Sequence, residues 1–425
     1  MRAICLYLHI HQPFRYREYS IFDVGNSTNY FVDTPEGRQS NERIFKKVAE
    51  KSYTPMLTLL EKLLNTHPDF KFSLIITGTW LEQATSWAPS LITRLKRLVA
   101  TGRVEILSET YYHSLAFFYN QTEFEAEVEE HTRAIQKLFG VTPQVFRNTE
   151  LAYTDSLAHW AESHGYVGIL AEGWDKILQG KSPGHVYRPL GCKNLRLLLK
   201  NYRLSDDIAF RFGSRAWEEW PLTVAKYQRW VEDACLTGPL VNLFMDFETF
   251  GEHQWSDTGI FDFFAQFVKS WLKGYGNRFV TVSEACRLER PRSTVSAPTV
   301  VTWADSERDL SAWNSNSMQQ SAINHLYELR SKILQSEDKS LIHAWRLLST
   351  SDHSYSMCTK YWHDGDVHAY FSAYASPFES FVYYSNILRD LEYRLSSLKP
   401  SRKHITTHFS EKNRLYKPQT LRYNR

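Results

Sequence analysis

The first 290 residues alternate two kinds of hydrophobic pattern, and that alternation restricts the possible folds more than any other feature. Short apolar runs of β type fall at 4–10, 72–76, 104–107, 145–147, 167–170, 195–199 and 240–247. Between several of them apolar residues recur at helical spacing, as in 91–98 before Gly102 and 123–139 before Gly140. A glycine closes each of these stretches, as it often does a helix C-terminus. Strands alternating with helices imply a parallel sheet, open or closed into a barrel. Ligands in such folds sit at the carboxyl ends of the strands. This α/β reading covers residues 1–290. The segment 290–298, RPRSTVSAP, then reads as a linker. Helical patterns at 307–334, 339–348 and 378–398 make 291–400 a helical domain packed against the barrel. Residues 401–425 are polar, basic and aperiodic, the pattern of a flexible tail.

Composition narrows the function. A net charge of +3 makes no demand for a nucleic acid or an anionic membrane as partner. No apolar run approaches the roughly 18 residues of a membrane span. The N-terminal apolar stretch meets His9 and His11 too soon for a signal peptide. Five cysteines without CxxC spacing point to reduced thiols and a cytoplasmic protein, and away from a disulfide framework or a zinc knuckle. Aromatic residues make up 15% of the chain. Flat rings with polar edges suit sugar recognition, and they also fill cores.

Several carboxylates stand where a buried strand should end. The stretch 242–255, NLFMDFETFGEHQW, runs from apolar residues straight into Asp246, Glu248, Glu252 and His253. Buried carboxylates are costly unless paired or put to chemical use, so an active-site acid is expected here. On a strand Asp246 and Glu248 share one face. In 145–151, VFRNTEL, Glu150 follows Arg147, Asn148 and Thr149, all able to hold a carboxylate ionised as a nucleophile requires. A surface ion pair with Arg147 is the plainer alternative. Glu105, inside RVEIL, is either paired with a cation or aimed into a cavity. Glu109, followed by Tyr111, Tyr112 and His113, continues the polar and aromatic theme or packs a loop. His9 and His11 share a face of the first strand: as metal ligands, a platform for sugar hydroxyls, or satisfied core histidines.

Two carboxylates at the ends of different strands are what glycosidic cleavage requires, one ionised and one able to donate a proton. Crowding by Glu248 and Glu252 is expected to raise the proton affinity of Asp246, and Arg147 to lower that of Glu150. These residues resemble glycoside hydrolase family 57, in particular its α-amylase-like members. Five segments carry the resemblance, in order: HQP at 11–13, GRVEI at 102–106, FRNTEL at 146–151, MDFETFGEHQW at 245–255, and LSTSDHSYSMCTKY at 348–361 followed by HDGDVH at 363–368. The resemblance implies a distorted, TIM-like (β/α)7 barrel followed by a helical domain that helps build the cleft. It implies retaining chemistry on α-1,4-glucans through a covalent glycosyl-enzyme intermediate, without metal or other cofactor. Glu150 falls on the family's nucleophile and Asp246 on its acid/base. By the same resemblance His11, Glu105, Asp352 and His353 line the subsites. Facing and proximity add His9 and Glu248. His253 and Trp255 are read as walls of a sugar subsite, and Trp174 joins Trp255 as a candidate sugar platform.

The family also contains 4-α-glucanotransferases, branching and debranching enzymes and an α-galactosidase. Transfer with the same catalytic pair is therefore the alternative activity. Two other classes stay open: a metal-dependent deacetylase or mannosidase using His9 and His11, and a glucan-binding or regulatory protein without turnover.

Overall fold

A computed structural model describes residues 2–31, 40–360 and 372–397. Its centre is β1 (Arg2–Ile10). On one side β1 pairs in parallel with β8 (Leu240–Asp246). On the other it pairs with β2 (Phe72–Ile76) along its C-terminal half and with β9 (Asn277–Val280) along its N-terminal half. The sheet continues from β2 to β3 (Val104–Ile106). A second parallel sheet holds β4 (Val145–Phe146), β5 (Gly168–Ala171) and β7 (Arg196–Leu199).

Hydrogen bonds close both seams between the sheets. Ser108 N–H donates to the Val145 carbonyl at 2.9 Å, and Arg147 N–H donates to the Ser108 carbonyl at 2.9 Å. At the other seam Asn201 N–H donates to the Asn242 carbonyl at 2.9 Å, and the Asn242 amide donates to the Leu199 carbonyl at 2.8 Å. The circuit β1–β2–β3–β4–β5–β7–β8 is thus a distorted (β/α)7 barrel. Each run anticipated in the sequence supplies one strand of it. The four residues of β9, which carry no continuous apolar run, were not anticipated.

Alternation along β1 places the site. Ile4, Leu6, Leu8 and Ile10 face outward into the core under the surrounding helices, with Leu57 and Leu60. Ala3, Cys5 and Tyr7 face inward among Ile75, Leu107, Leu198 and Phe244. Both faces are buried, so the strand reads as a continuous apolar run. Each buried aliphatic side chain contributes roughly 1.5–3 kcal/mol. A one-residue slip would turn that whole set inward and His9 outward among the helices, so packing fixes where His9 points.

The segment expected to be a linker is instead strapped to the barrel. Within it β10 (Thr294–Val295) pairs in parallel with β6 (Arg188–Pro189). The Asp155 carboxylate accepts from Ser296 Oγ at 2.6 Å and from Ala297 N–H at 2.9 Å. A stretch without hydrophobic periodicity can still be anchored through its backbone, and this one delivers Trp303 to the barrel mouth. The helical region follows in Ser311–Asn314, Ser317–Glu328, Arg330–Gln335, Lys339–Leu348, Ser351–Tyr355 and Pro377–Ser397. It is locked to the barrel by the buried Glu123, which accepts from Arg330 Nε at 3.0 Å and Arg346 Nε at 2.7 Å. Residues 363–368 and 401–425, read above as part of the fifth segment and as a tail, lie outside the described residues. Among the described residues no helix is long and apolar enough to cross a membrane.

Candidate active site

The carboxyl ends of the barrel strands open into a cavity of about 470 Å³. Its lining includes His9, His11, Glu150, Asp246, Glu248, His253 and Asp352 from the sequence reading. Those seven come from the end of β1 and the residue after it, from the turn after β4, from the end of β8 and the turns after it, and from the helical region.

Glu150 sits in the turn Thr149–Leu151 with φ 59° and ψ 25°, a left-handed conformation rare for a residue with a side chain. Neighbours hold the turn there: Asn148 Nδ2 donates to the Ala152 carbonyl at 3.0 Å, and Trp303 N–H to the Glu150 carbonyl at 3.3 Å. The carboxylate accepts from Trp303 Nε1 at 2.8 Å on one oxygen and from Ser351 Oγ at 2.9 Å on the other. His113 Nε2 stands 3.3 Å from that second oxygen. Burial alone would raise the Glu150 carboxyl, but His113 and Arg147 outweigh it and hold the group below its ordinary value. Burial also opposes the charged form of His113, yet its bonds to Glu109 and Glu150 lift it to about 9. At neutral pH the pair is an imidazolium facing a carboxylate.

Asp246 closes β8 and accepts from His9 Nδ1 at 3.2 Å. Burial would raise its carboxyl, but the bond and charge of His9, followed by His253, hold it below the ordinary value. This reverses the expectation that crowding by acids would raise it. Glu252 faces Lys47 and Lys51 at 3.6 and 3.7 Å instead. Glu248 takes the upward shift, to about 8, from burial and then from the Asp246 charge. Its Oε1 accepts from Tyr53 OH at 2.6 Å. Asp352, from the helical region, lies 2.9 Å from His11 Nε2. Burial and then His113 lower His11 to about 4.

Four expected residues stand outside this lining. Glu105 faces inward near the base of the barrel, accepting from Ser73 Oγ and Ser283 N–H at 3.0 Å each, and from Ser283 Oγ. Its partners are hydroxyls and backbone, and the strand carries the chain onward before the cavity begins. His353 is buried between Tyr16 and Tyr384, with Nε2 3.1 Å from the Leu347 carbonyl. Trp174 has its ring under Lys176, and Trp255, 54% exposed, has its ring under Lys51. Neither tryptophan lines the cavity.

Other residues at the site give little or no signal in the sequence. Glu109 is fully buried beneath the cavity, with Arg147 NH1 and His113 Nδ1 at 3.3 and 3.2 Å from one oxygen and His9 Nε2 at 3.4 Å from the other. The fully buried Arg147 also lies 4.8 Å from the Trp303 ring centroid, so its charge has both a carboxylate and a π face. Lys200 Nζ, 5.5 Å from the same ring, pairs with Asp206 at 2.9 Å and Glu172 at 3.6 Å. Trp303 had no signal in sequence, because it enters from beyond the supposed linker. His113 lay in view, four residues past Glu109, the spacing at which it closes on that carboxylate.

Two groups gather enough donors to be considered for a metal, His9–Glu109–His113 and His11–His113–Asp352. In both, each imidazole already directs its two nitrogens to different partners: His9 to Asp246 and Glu109, His113 to Glu109 and Glu150, His11 to Thr77 and Asp352.

The sequence pattern of glycosyl hydrolase family 57 matches residues 5–298. A Methanocaldococcus jannaschii protein, provisionally named an alpha-amylase, is 38% identical over 402 residues, covering 92% of this chain and 84% of that one. Among solved structures, a 4-alpha-glucanotransferase from Thermococcus litoralis superposes with a TM-score of 0.63 at 17% identity. The match covers 95% of this chain but only 61% of that longer one. An alpha-amylase from Thermotoga maritima superposes with a TM-score of 0.62 at 14% identity, covering 93% and 94% of the two chains. At those identities the structures speak for the fold alone. The family pattern and the 38% relative speak for descent, and the chain belongs to glycosyl hydrolase family 57.

Proposed function

We propose that the protein cleaves α-1,4-glucans, such as starch, glycogen or maltooligosaccharides, with retention of configuration. The observation that carries this reading is the placing of Glu150 and Asp246 in the wall of one cavity. Glu150 is kept ionised by His113 and Arg147, the state a nucleophile needs, and Trp303 and Ser351 hold its two oxygens in place. Its oxygen attacks the anomeric carbon while Asp246 protonates the departing oxygen, leaving a glycosyl ester on Glu150. Asp246 then takes the proton of an incoming water as that water releases the ester.

In the free site His9 holds Asp246 low. A bound sugar displaces the water around a carboxylate whose side chain is 35% exposed, and that desolvation raises its proton affinity. The name of the archaeal relative points the same way.

The test is incubation of the wild type and of Glu150→Gln with a single maltooligosaccharide, products resolved by length. The expected result is shorter products from the wild type and at least a ~1,000-fold loss in the variant. Chains longer than the starting material would instead establish transfer to a sugar hydroxyl. A Glu150→Gln variant as active as wild type would overturn the nucleophile, and an inert wild type would favour a glucan-binding protein.

A further inference from the structure

We propose that Glu109 is a positioning residue that couples the two catalytic carboxylates, holding one imidazole against each of them in a single unbroken chain. The inference rests on the roles given above to Glu150 and Asp246. The chain runs from Asp246 Oδ1 to His9 Nδ1 at 3.2 Å, and from His9 Nε2 to Glu109 Oε1 at 3.4 Å. It continues from Glu109 Oε2 to His113 Nδ1 at 3.2 Å, and from His113 Nε2 to Glu150 Oε1 at 3.3 Å. Each imidazole uses a different nitrogen for each neighbour, and Glu109 gives a different oxygen to each imidazole. The three histidine rings of the floor pack together, with His9 and His11 centred 4.9 and 4.1 Å from His113, which limits how far either bridging ring can turn.

A narrower role for Glu109, balancing the buried Arg147, leaves half of this unexplained. Arg147 NH1 reaches only Oε2. The other oxygen faces His9 at 3.4 Å in an ion-pair contact rather than a hydrogen bond, and neither His9 Nε2 nor Glu109 Oε1 has a hydrogen-bond partner among the described residues. The other titratable groups on which the charge of Glu109 bears are Tyr7 from β1 and His131 from the helix Gln121–Phe139. His131 already has Nε2 on the Ile76 carbonyl at 2.9 Å. Glu109 does not line the cavity, so it acts through the imidazoles rather than on sugar.

The coupling matters because both carboxylates change charge within one turnover. When Glu150 oxygen bonds to the anomeric carbon and the glycosidic C–O bond breaks, Asp246 loses its proton to the leaving oxygen. Glu150 becomes a neutral ester as Asp246 becomes a carboxylate, so negative charge crosses from the His113 end of the chain to the His9 end. Water reverses the exchange: its proton goes to Asp246, its oxygen to the anomeric carbon, and Glu150 leaves as a carboxylate. Glu109 holds a donor ready at whichever end carries the charge.

The sign of the consequence follows from the geometry. Replacing Glu109 by a neutral amide removes the charge that supports the His113 imidazolium, so Glu150 loses a cation and its carboxyl rises. The same change releases the anchor of His9, weakens its hold on Asp246, and that carboxyl rises too. For Glu109→Gln, both limbs of the pH profile of kcat at saturating maltoheptaose should therefore move to higher pH, by about 0.5 unit or more. Over the same comparison kcat should fall at least ~10-fold with KM within ~3-fold. A profile that moves at one limb only, or a fall in kcat with both limbs unmoved, overturns the coupling.

Should the variant not fold, the wild type provides a second readout: ring ¹⁵N signals of the histidines before and after Glu150 is trapped as an ester by 5-fluoro-α-glucosyl fluoride. His9 does not touch Glu150, so its signals should shift together with those of His113. An ester with His9 unmoved overturns this inference alone. If the wild type cleaves glucan but Glu150 forms no ester, the catalytic assignment itself fails, and the coupling with it.

Discussion

Glu150 and Asp246 share a cavity but are held in opposite ways. Three side chains converge on the Glu150 carboxylate, whose side chain is 16% exposed, and its backbone is fixed in a left-handed turn. Asp246 accepts from His9 alone among the described residues, and its side chain is 35% exposed. Holding a residue in left-handed backbone costs on the order of 1–2 kcal/mol, and the bonds across the turn offset it. The difference fits two tasks. A nucleophile has to present one oxygen at one point in one charge state. An acid that becomes a base has to gain and lose a proton, and a dense set of donors would fix it as a carboxylate. Rigidity at Glu150 and openness at Asp246 are two sides of one division of labour.

The largest expected effect tests that division directly. Asp246→Asn should lower kcat on maltooligosaccharides by ~10³–10⁴-fold. With an aryl maltooligoside whose leaving group needs no proton, the ester forms without the acid, and added azide should take the place of water activated by Asp246. Rescue to within ~10-fold of wild type is expected for Asp246→Asn in azide. Glu150→Gln should show no comparable rescue with the same substrate. If azide restored both variants equally, or neither, the contrast between the two carboxylates would be lost.

A smaller effect is expected from loosening the Glu150 side alone. Trp303→Phe removes the indole N–H that donates at 2.8 Å and keeps most of the ring beneath Arg147. A hydrogen bond to a charged group is worth about 1.5–3 kcal/mol, so kcat should fall ~10–100-fold. The sign for pH is fixed: with one donor gone the Glu150 carboxyl rises, and the acidic limb of the profile moves up while the basic limb stays. Movement of the basic limb instead would mean that Trp303 serves Asp246.

How much of this could be read in the sequence depended on whether the signal was local. Most of the barrel strands were legible because both of their faces are buried, which leaves short unbroken apolar runs; β3, broken by Glu105, was legible from Val104 and Ile106 on its outer face. Asp246 and Glu150 were legible because carboxylates directly after such runs need an explanation. The wall brought by Trp303 was hidden, since a Pro- and Ser-containing segment gives no periodic sign that its backbone will pair with Arg188–Pro189. The charge order at Asp246, Glu248 and Glu252 was misjudged for a related reason. What decides it at Asp246, the bond and charge of His9, is close only in space. Glu109 lay in plain sight beside Tyr111, Tyr112 and His113. Nothing within its own stretch showed that it would join two histidines from different elements.

Glu105 provides the smallest expected effect and the sharpest control on the region below the cavity. It precedes Glu109 by four residues, about 13 Å of extended chain, and both face the barrel interior. Family resemblance put Glu105 among the subsite residues, whereas its carboxylate accepts from Ser73 and Ser283. Glu105→Gln exchanges one acceptor oxygen for an amide group facing donors, a loss of about 1–2 kcal/mol in stability, visible as a Tm lower by roughly 3 °C. Neither imidazole of the floor depends on it, so kcat should stay within ~3-fold of wild type with both limbs of the pH profile in place. Equal damage to turnover from Glu105→Gln and Glu109→Gln would mean that the barrel interior acts as one electrostatic unit. Damage confined to Glu109→Gln would place the boundary between scaffold and site between these two carboxylates.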